Sequence, residues 1–516
     1  MTLRIHVDGI EYEVTEGRTI LQALDDLGVL MNGVDIPHYC WHPKLTIDGS
    51  CRLCQVEIEG VPKLQIACNT PVADGMKIHT LSERVEKARE GVMELLLINH
   101  PLDCPICDKA GECKLQDYAF EYGQQHARTQ EPRRPLKKRV DLGPTIVFDQ
   151  ERCILCRRCV RFCREVPGTG ELAVFSRGDR SVLETFPGIP LANDYSMNVA
   201  DICPVGALTT KDFRFKIRVW FLEDVPGVCT GCANGCNVHL GVANNRVYRY
   251  EPRRNDAVNQ TWICDEGRLS YKRINADDRI DAPAVRGADG ALMPALLDDA
   301  IAAAVARIRR VIDRKGGGAV GMLVSPHATN EDLFVARRFL DALGSTQAGF
   351  AVVRGRSDAI LIKEEKAANA AGARALGFDD AAGLLARARG GAVEALIVMG
   401  HDVLAAPYRD DALAALAGVD TVVLLDTHRS HAESLAHVVL PARVAAEKHG
   451  TLTNVSGRVQ RVHLAVEPPF EARAEGEVLW LLGQALGLAG FAQEWDVRAV
   501  AKEVADAVPA LAEAGA

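Results

Sequence analysis

Apolar and polar residues alternate over positions 2 to 7 and again over 10 to 15, with Asp8-Gly9 between the two runs. Period-two alternation around an Asp-Gly pair predicts a β-hairpin. The spacing then changes. TILQALDDLG, 19 to 28, sets its apolar residues three and four apart and ends on glycine, which predicts a helix and its stop. A cysteine-bearing loop follows from 37 to 54, then a strand in CQVEIEG, so residues 1 to 80 are expected to form one small α+β domain. SERVEKAREGVMELLLINH, 82 to 100, again has helical spacing and is expected to deliver His100 at its C-terminal end.

After residue 275 the chain becomes alanine-rich. ALLDDAIAAAVARIRRVIDRK, 295 to 315, predicts a helix whose early aspartates and late arginines suit its dipole. Short apolar runs then recur between helical stretches: AVGMLV (319 to 324), ALIVMG (395 to 400) and TVVLLD (421 to 426). That order predicts parallel strands joined by crossover helices, an α/β domain. GGGAVG, 316 to 321, imitates a dinucleotide fingerprint but precedes a strand instead of linking strand to helix, so it reads as a turn.

The length of 516 residues implies three or more domains. A net charge of −9 disfavours an electrostatic nucleic-acid partner. No apolar run approaches the roughly 20 residues of a membrane-spanning helix, MELLLI at 93 to 98 being among the strongest. MTLRIHVDGI lacks an apolar secretory core. The expectation is therefore a cytoplasmic chain, peripheral to a membrane only through partners. The charged stretch at 124 to 140 reads as a solvated connector.

Cysteine changes this picture most. All 16 lie between Cys40 and Cys264, and the 252 residues beyond have none. Segregation of this kind points to thiolates gathered on metal, since a disulfide scaffold would be small and secreted. Four sets emerge. Cys40, Cys51, Cys54 and Cys68 place a Cys-x2-Cys pair between two further cysteines, similar to [2Fe–2S] ferredoxins. Cys104, Cys107 and Cys113 lack a nearby fourth cysteine, and His100 is the only near candidate to complete them. Cys153, Cys156 and Cys159, with Cys203 in DICPVGAL, follow the bacterial ferredoxin arrangement. Cys229, Cys232, Cys236 and Cys264 form the fourth set. Cys-x2-Cys pairs taken singly also signal zinc; four such sets in succession favour iron–sulfur clusters. Cys163 is surplus and expected to be an unliganded buried thiol. Arg152, Arg157, Arg158, Arg161 and Arg164 either compensate thiolate charge or form a solvated helix face. His38 and His42 flank Cys40 and are expected beside the first site, not as its ligands.

IPHYCWHPKLTIDGSCRLC and HPLDCPICDKAGEC resemble the large iron–sulfur subunit of respiratory complex I and its bacterial relatives. The fourth set and WICDEGRLSY resemble the [4Fe–4S] motif that opens molybdopterin oxidoreductases, and AHVVLPARVAAEKHGTLTNVSGRVQ (436 to 460) resembles a later stretch of both groups. The resemblance implies a multidomain α+β and α/β protein. Its parts would be a β-grasp 2Fe-2S ferredoxin domain (1–80), a 4Fe-4S domain ligated by one histidine and three cysteines (81–120), a 4Fe-4S ferredoxin-like domain (140–216) and a 4Fe-4S domain of molybdopterin-oxidoreductase type (217–276). A reduced, cofactor-free molybdopterin-oxidoreductase-like α/β domain (277–516) would follow. It implies that His100 completes the second site. It also implies one 2Fe-2S and three 4Fe-4S clusters, with no molybdopterin.

The expected role is an electron wire with no catalytic residue of its own. A flavoprotein partner would carry FMN and oxidise NADH, and other iron–sulfur and quinone-site subunits would pass electrons to quinone. The fourth cluster is expected to be structural, off the main path. The alternatives are the iron–sulfur subunit of an NAD-linked hydrogenase or formate dehydrogenase, and a molybdenum or tungsten enzyme. Against the last stand the missing cysteine beyond Cys264 and an α/β region short for enclosing a pterin cofactor.

Overall fold

The computed structural model describes residues 1–124, 126–400 and 408–512, in two compact units, Met1–Leu222 and Glu223–Ala516. The parts of the expected C-terminal domain at 401–407 and 513–516 lie outside the described residues, as does position 125 of the charged connector.

The first unit opens with the hairpin β1 (Thr2–Val7) and β2 (Ile10–Thr15), paired antiparallel across Asp8-Gly9, both in the left-handed region. Helix α1 (Ile20–Asp26) follows. Thr19 caps it, and Thr19 and Gln22 exchange side-chain and backbone hydrogen bonds in a capping box. Strands β3 (Gln55–Ile58), β4 (Gln65–Ile66) and β5 (Met76–His79) complete a sheet of order β2-β1-β5-β3-β4, with β1 and β5 parallel. The apolar face of α1 (Ile20, Leu21, Ala23, Leu24) packs with Ile5, Val7, Val56 and Ile78 in a small core that includes Cys54 and Cys68. This is the expected β-grasp arrangement.

Helix α2 (Glu83–Leu97) starts on a Ser82 cap and stops three residues short of His100. Pro101 disfavours helical geometry at the residue before it, so His100 lies in the turn beyond the helix, its amide donating to the Leu97 carbonyl. Helix α3 (Lys114–Tyr122) begins at Cys113. The rest of the unit is built from short pieces: β6 (Val140–Asp141), β7 (Ile146–Phe148), α4 (Arg158–Glu165), β8 (Leu172–Phe175), β9 (Val182–Thr185), α5 (Asn198–Asp201) and β10 (Leu208–Thr210). They form a three-stranded sheet of order β10-β7-β6 and a separate β8-β9 hairpin.

The second unit begins with the antiparallel meander β11 (Glu223–Val228), β12 (Asn237–Ala243) and β13 (Arg246–Pro252), followed by α6 (Asp265–Leu269). Its centre is a seven-stranded sheet. β14 (Ala284–Arg286) and β15 (Leu292–Pro294) precede α7 (Leu297–Lys315), β16 (Val320–Val324), α8 (Asn330–Ala342) and β17 (Ala348–Phe350). Helices α9 (Ala370–Ala375) and α10 (Ala381–Arg389) then lead to β18 (Ala395–Met399), α11 (Arg409–Gly418), β19 (Thr421–Asp426) and β20 (Val438–Pro441). The sheet order is β15-β14-β20-β19-β18-β16-β17. The five strands from β20 to β17 are parallel, as expected, but β14 and β15 add an antiparallel edge.

Alternate residues of each central strand serve opposite cores. Met322, Ile397 and Val423 face α7 and α8 in one, while Leu323, Leu396 and Leu424 face α10 and α11 in the other. The hairpin β21 (Gly450–Thr453) and β22 (Val459–Val462) and helices α12 (Glu475–Leu486) and α13 (Val497–Ala507) close the unit. Among the described residues no helix is long and apolar enough to cross a membrane.

Candidate metal centres

All 16 cysteines are free thiols. In the first set Cys40, Cys54 and Cys68 are buried and Cys51 half-buried. The thiols of Cys51 and Cys68 both meet that of Cys40, and Cys68 also meets Cys54, so the four form one continuous group. The backbone at Ser50 and Cys51 hydrogen-bonds the Cys40 sulfur. Gly49 and Arg52, both at positive φ, curl the loop around it. His38 donates from Nδ1 to the Ile36 carbonyl at 2.9 Å and stacks edge-on against Trp41. Burial, aided by the charge of Arg158, keeps it neutral down to about 4. His42 Nδ1 accepts from the Lys44 amide at 3.3 Å. Both histidines have backbone partners.

The second set is arranged by a tight turn. Cys104 opens a single 3-10 turn and is exposed; Cys107 and Cys113 are buried. His100 Nδ1 is sealed from solvent with no hydrogen-bond partner. Burial and the Arg152 guanidinium hold the imidazole neutral down to about 4, the form a metal ligand needs. An orphaned buried nitrogen, four residues before Cys104 in sequence, has the chemistry of a metal ligand. Arg218 fixes the turn by donating to the Cys107 and Pro105 carbonyls.

In the third set Cys153, Cys156, Cys159 and Cys203 line one small cavity together with Val174, Leu183, Val205 and Leu208. Leu155 and Arg157, on either side of Cys156, are both left-handed, which bends the chain around that cavity. Burial lifts the Cys156 thiol to about 11. Burial raises Cys153 and Cys159 as well, which disfavours their thiolates unless a positive charge such as a metal's compensates them. The second and third sets approach closely. The Lys114 amide, next to Cys113, donates to the carbonyl of Pro204, next to Cys203. A side chain on Gly206 would fall 2.3 Å from the Cys107 sulfur.

The fourth set is buried throughout. The Gly267 amide donates to the Cys264 sulfur at 3.3 Å, and Asn234 Nδ2 to Cys236 at 3.2 Å. Gly267 leaves a cradle: a Cβ there would stand 3.0 Å from Cys229 and 3.1 Å from Cys264. Burial lifts Cys264 to about 11 and Cys229 to about 12. Among the described residues no group of three or more His, Cys, Asp or Glu side chains is arranged to hold a single metal ion.

Cys163 lies outside these groups. It is fully buried on α4, and its thiol meets Glu171, which accepts from Asn193 at 2.9 Å. Burial and the Glu171 carboxylate both raise it. Glu171 was not foreseeable from the sequence, since it touches Cys163 only through the turn at Thr169 and Gly170, whose amides both donate to the Cys163 carbonyl. The arginines divide. Arg157 and Arg164 are exposed, whereas Arg152 and Arg161 are buried and Arg158 half-buried. The spacing of Arg158 and Arg161, three apart on the face that carries Phe162, is the signal that separates them.

Five family models match the chain. They are described as a 2Fe-2S iron-sulfur cluster binding domain (residues 1–83), the NADH-ubiquinone oxidoreductase-G iron-sulfur binding region (89–128) and NADH-quinone oxidoreductase subunit 3, ferredoxin-like domain (143–209). The other two are the molybdopterin oxidoreductase Fe4S4 domain (222–276) and molybdopterin oxidoreductase (364–484). An NADH-quinone oxidoreductase subunit of Rickettsia felis is 40% identical over 343 residues, 66% of this chain and 49% of the relative. The mitochondrial NADH dehydrogenase [ubiquinone] iron-sulfur protein 1 of Solanum tuberosum is 38% identical, over 66% of this chain and 45% of its own. The chain thus spans about half the length of the curated relatives it matches. A solved chain of an NAD+-reducing [NiFe]-hydrogenase in the H2-reduced state aligns with 42% of this chain and 91% of its own, at 31% identity and a TM-score of 0.37.

Proposed function

We propose that this chain, a homologue of the large iron–sulfur subunit of NADH-quinone oxidoreductases with a shortened molybdopterin-oxidoreductase-like C-terminal region, is an electron relay and not a site of substrate turnover. In this reading one 2Fe-2S and three 4Fe-4S clusters take electrons singly from a flavoprotein partner that holds FMN and oxidises NADH. They pass them towards quinone through neighbouring iron–sulfur subunits, and the chain sits on the cytoplasmic face of a membrane through those partners. One observation carries the reading: Cys153, Cys156 and Cys159 share a largely apolar cavity with Cys203, brought in from after a separate helix.

The ligands proposed are Cys40, Cys51, Cys54 and Cys68; His100, Cys104, Cys107 and Cys113; Cys153, Cys156, Cys159 and Cys203; and Cys229, Cys232, Cys236 and Cys264. Each four-sulfur or three-sulfur, one-nitrogen set has the donor chemistry of a cluster. Bound clusters would supply reversible one-electron transfer. The chain's own residues exclude water, hold the His100 imidazole neutral, and set Arg152, Arg158 and Arg161 against the negative charge of the sulfurs.

The test is elemental analysis of anaerobically purified protein. The expected content is about 14 irons per chain with matching sulfide and no molybdenum. About 10 irons would mean that one four-iron site does not form, and electron paramagnetic resonance of His100→Ala shows whether it is the second. Zinc in place of iron would overturn the reading.

A further inference from the structure

Two sulfur sets that are remote in sequence share one cation. Arg158 lies on α4 between Cys156 and Cys159 and lines the cavity of the third set. It donates from Nη2 to the carbonyl of Trp41, the residue after Cys40, and from Nη1 to the carbonyl of Ile202, the residue before Cys203, at 3.2 Å. Its charge is felt by Cys156 and Cys203 of the third set and by Cys51 and Cys40 of the first. Among the described residues no carboxylate pairs with it, and its Nε is sealed from solvent without a partner.

Such a cation is costly to bury unless a negative charge compensates it. Arg152, by contrast, has Asp149 and Asp103. Arg161 directs its hydrogen bonds to the first set, at the Cys40 and Thr46 carbonyls, while its charge is also felt by Cys156 of the third. The charges available to Arg158 are those of the two sulfur sets.

We propose that Arg158 is a shared counter-cation, a positioning residue that raises the reduction potentials of the first and third sites together and so keeps them matched. The proposal rests on the relay reading given above. The physical reason is simple. A reduced cluster carries one more negative charge than the oxidised one, and a guanidinium, which stays charged at every accessible pH, favours the reduced form of whichever cluster it faces. Facing two, it lifts both. The two carbonyl contacts, one beside each set, hold it in place, which a flexible surface cation could not do.

The experiment is a redox titration of the full chain followed by electron paramagnetic resonance, comparing native protein with Arg158→Gln and Arg161→Gln. Iron and sulfide are counted on each. With Arg158→Gln, the 2Fe-2S signal and one 4Fe-4S signal are expected to fall together. The oxidised-to-reduced ratio at fixed potential should rise about tenfold, or ~59 mV for a one-electron couple. The other two 4Fe-4S signals hold. Arg161→Gln, whose hydrogen bonds go to the first set, moves the 2Fe-2S signal more than the 4Fe-4S one. Loaded clusters with unchanged potentials in Arg158→Gln, or a shift in only one of them, would overturn the shared role and leave the relay intact. A native chain that carries no clusters overturns the relay itself. Should Arg158→Gln fail to load, Arg158→Met, which keeps the apolar stem without the charge, is titrated in its place and read by the same two outcomes.

Discussion

The two units are held together by different means. The second wraps a seven-stranded sheet between two apolar layers, and its central strands are buried on both faces. The first has a compact core in the β-grasp sheet, and beyond residue 100 its buried apolar residues, Ile146, Phe148, Phe162 and Leu191 among them, sit on or between strands of two to four residues and short helices interleaved with cysteines. Apolar burial contributes roughly 25 cal/mol per Å² wherever it occurs, but a stretch whose short elements also bury thiol sets draws part of its order from what those thiols bind. The comparison teaches that a chain can place self-sufficient folding and ligand-dependent folding in separate stretches, and that cysteine distribution marks which is which.

The sharpest way to break this contrast is to remove the iron. In chelated, reduced protein, amide exchange protection over residues 140–216 is expected to collapse, while β16, β18, β19 and β20 keep theirs. Equal loss in both units would show that the sheet also depends on the sulfur sites. The reciprocal damage is smaller and confined to the other unit. Phe339→Ala removes a fully buried ring packed edge-on against Phe491 and should cost about 3–5 kcal/mol in the unfolding transition of the second unit, with iron content unchanged.

The smallest effect concerns pH. Lys448 lies buried between Asp332, at 2.7 Å, and Glu475. Burial, opposed by Lys448, pushes Glu475 up to about 7 from the ordinary 4.5. A carboxyl whose pKa is raised on folding contributes stability at low pH and loses it as pH rises from its unfolded value through its folded one. Native protein should therefore lose stability relative to Glu475→Gln between about pH 5 and 7, by on the order of 2 kcal/mol. Thermal melts across that range check it, and parallel curves for the two proteins would refute it.

Much of this was legible in the sequence because it is local. The hairpin at 2 to 15, the Thr19 helix start and the strand at 421 to 426 each follow from short-range periodicity and capping. The four sulfur sets are read from spacing, and His100 is proposed for its set from the gap there and from resemblance. What escaped depends on contacts between distant stretches. The helix expected to run to His100 yields before Pro101. The antiparallel edge formed by β14 and β15 has no local signal, because strand order is chosen by packing. Nor could spacing say that Arg279 would pair bidentately with buried Glu447, 168 residues away, or that Glu171 would meet Cys163. For the arginines the sequence left two readings open, and burial selects both, one for each subset.

Gly206 draws a boundary of another kind. Where Cys107 of the second set comes against the backbone that follows Cys203 of the third, Gly206 presents no side chain to it. An alanine there would have to push the Cys107 sulfur aside, so even the smallest added group must widen the gap. Here it is a missing side chain, not an added one, that lets the two stretches approach.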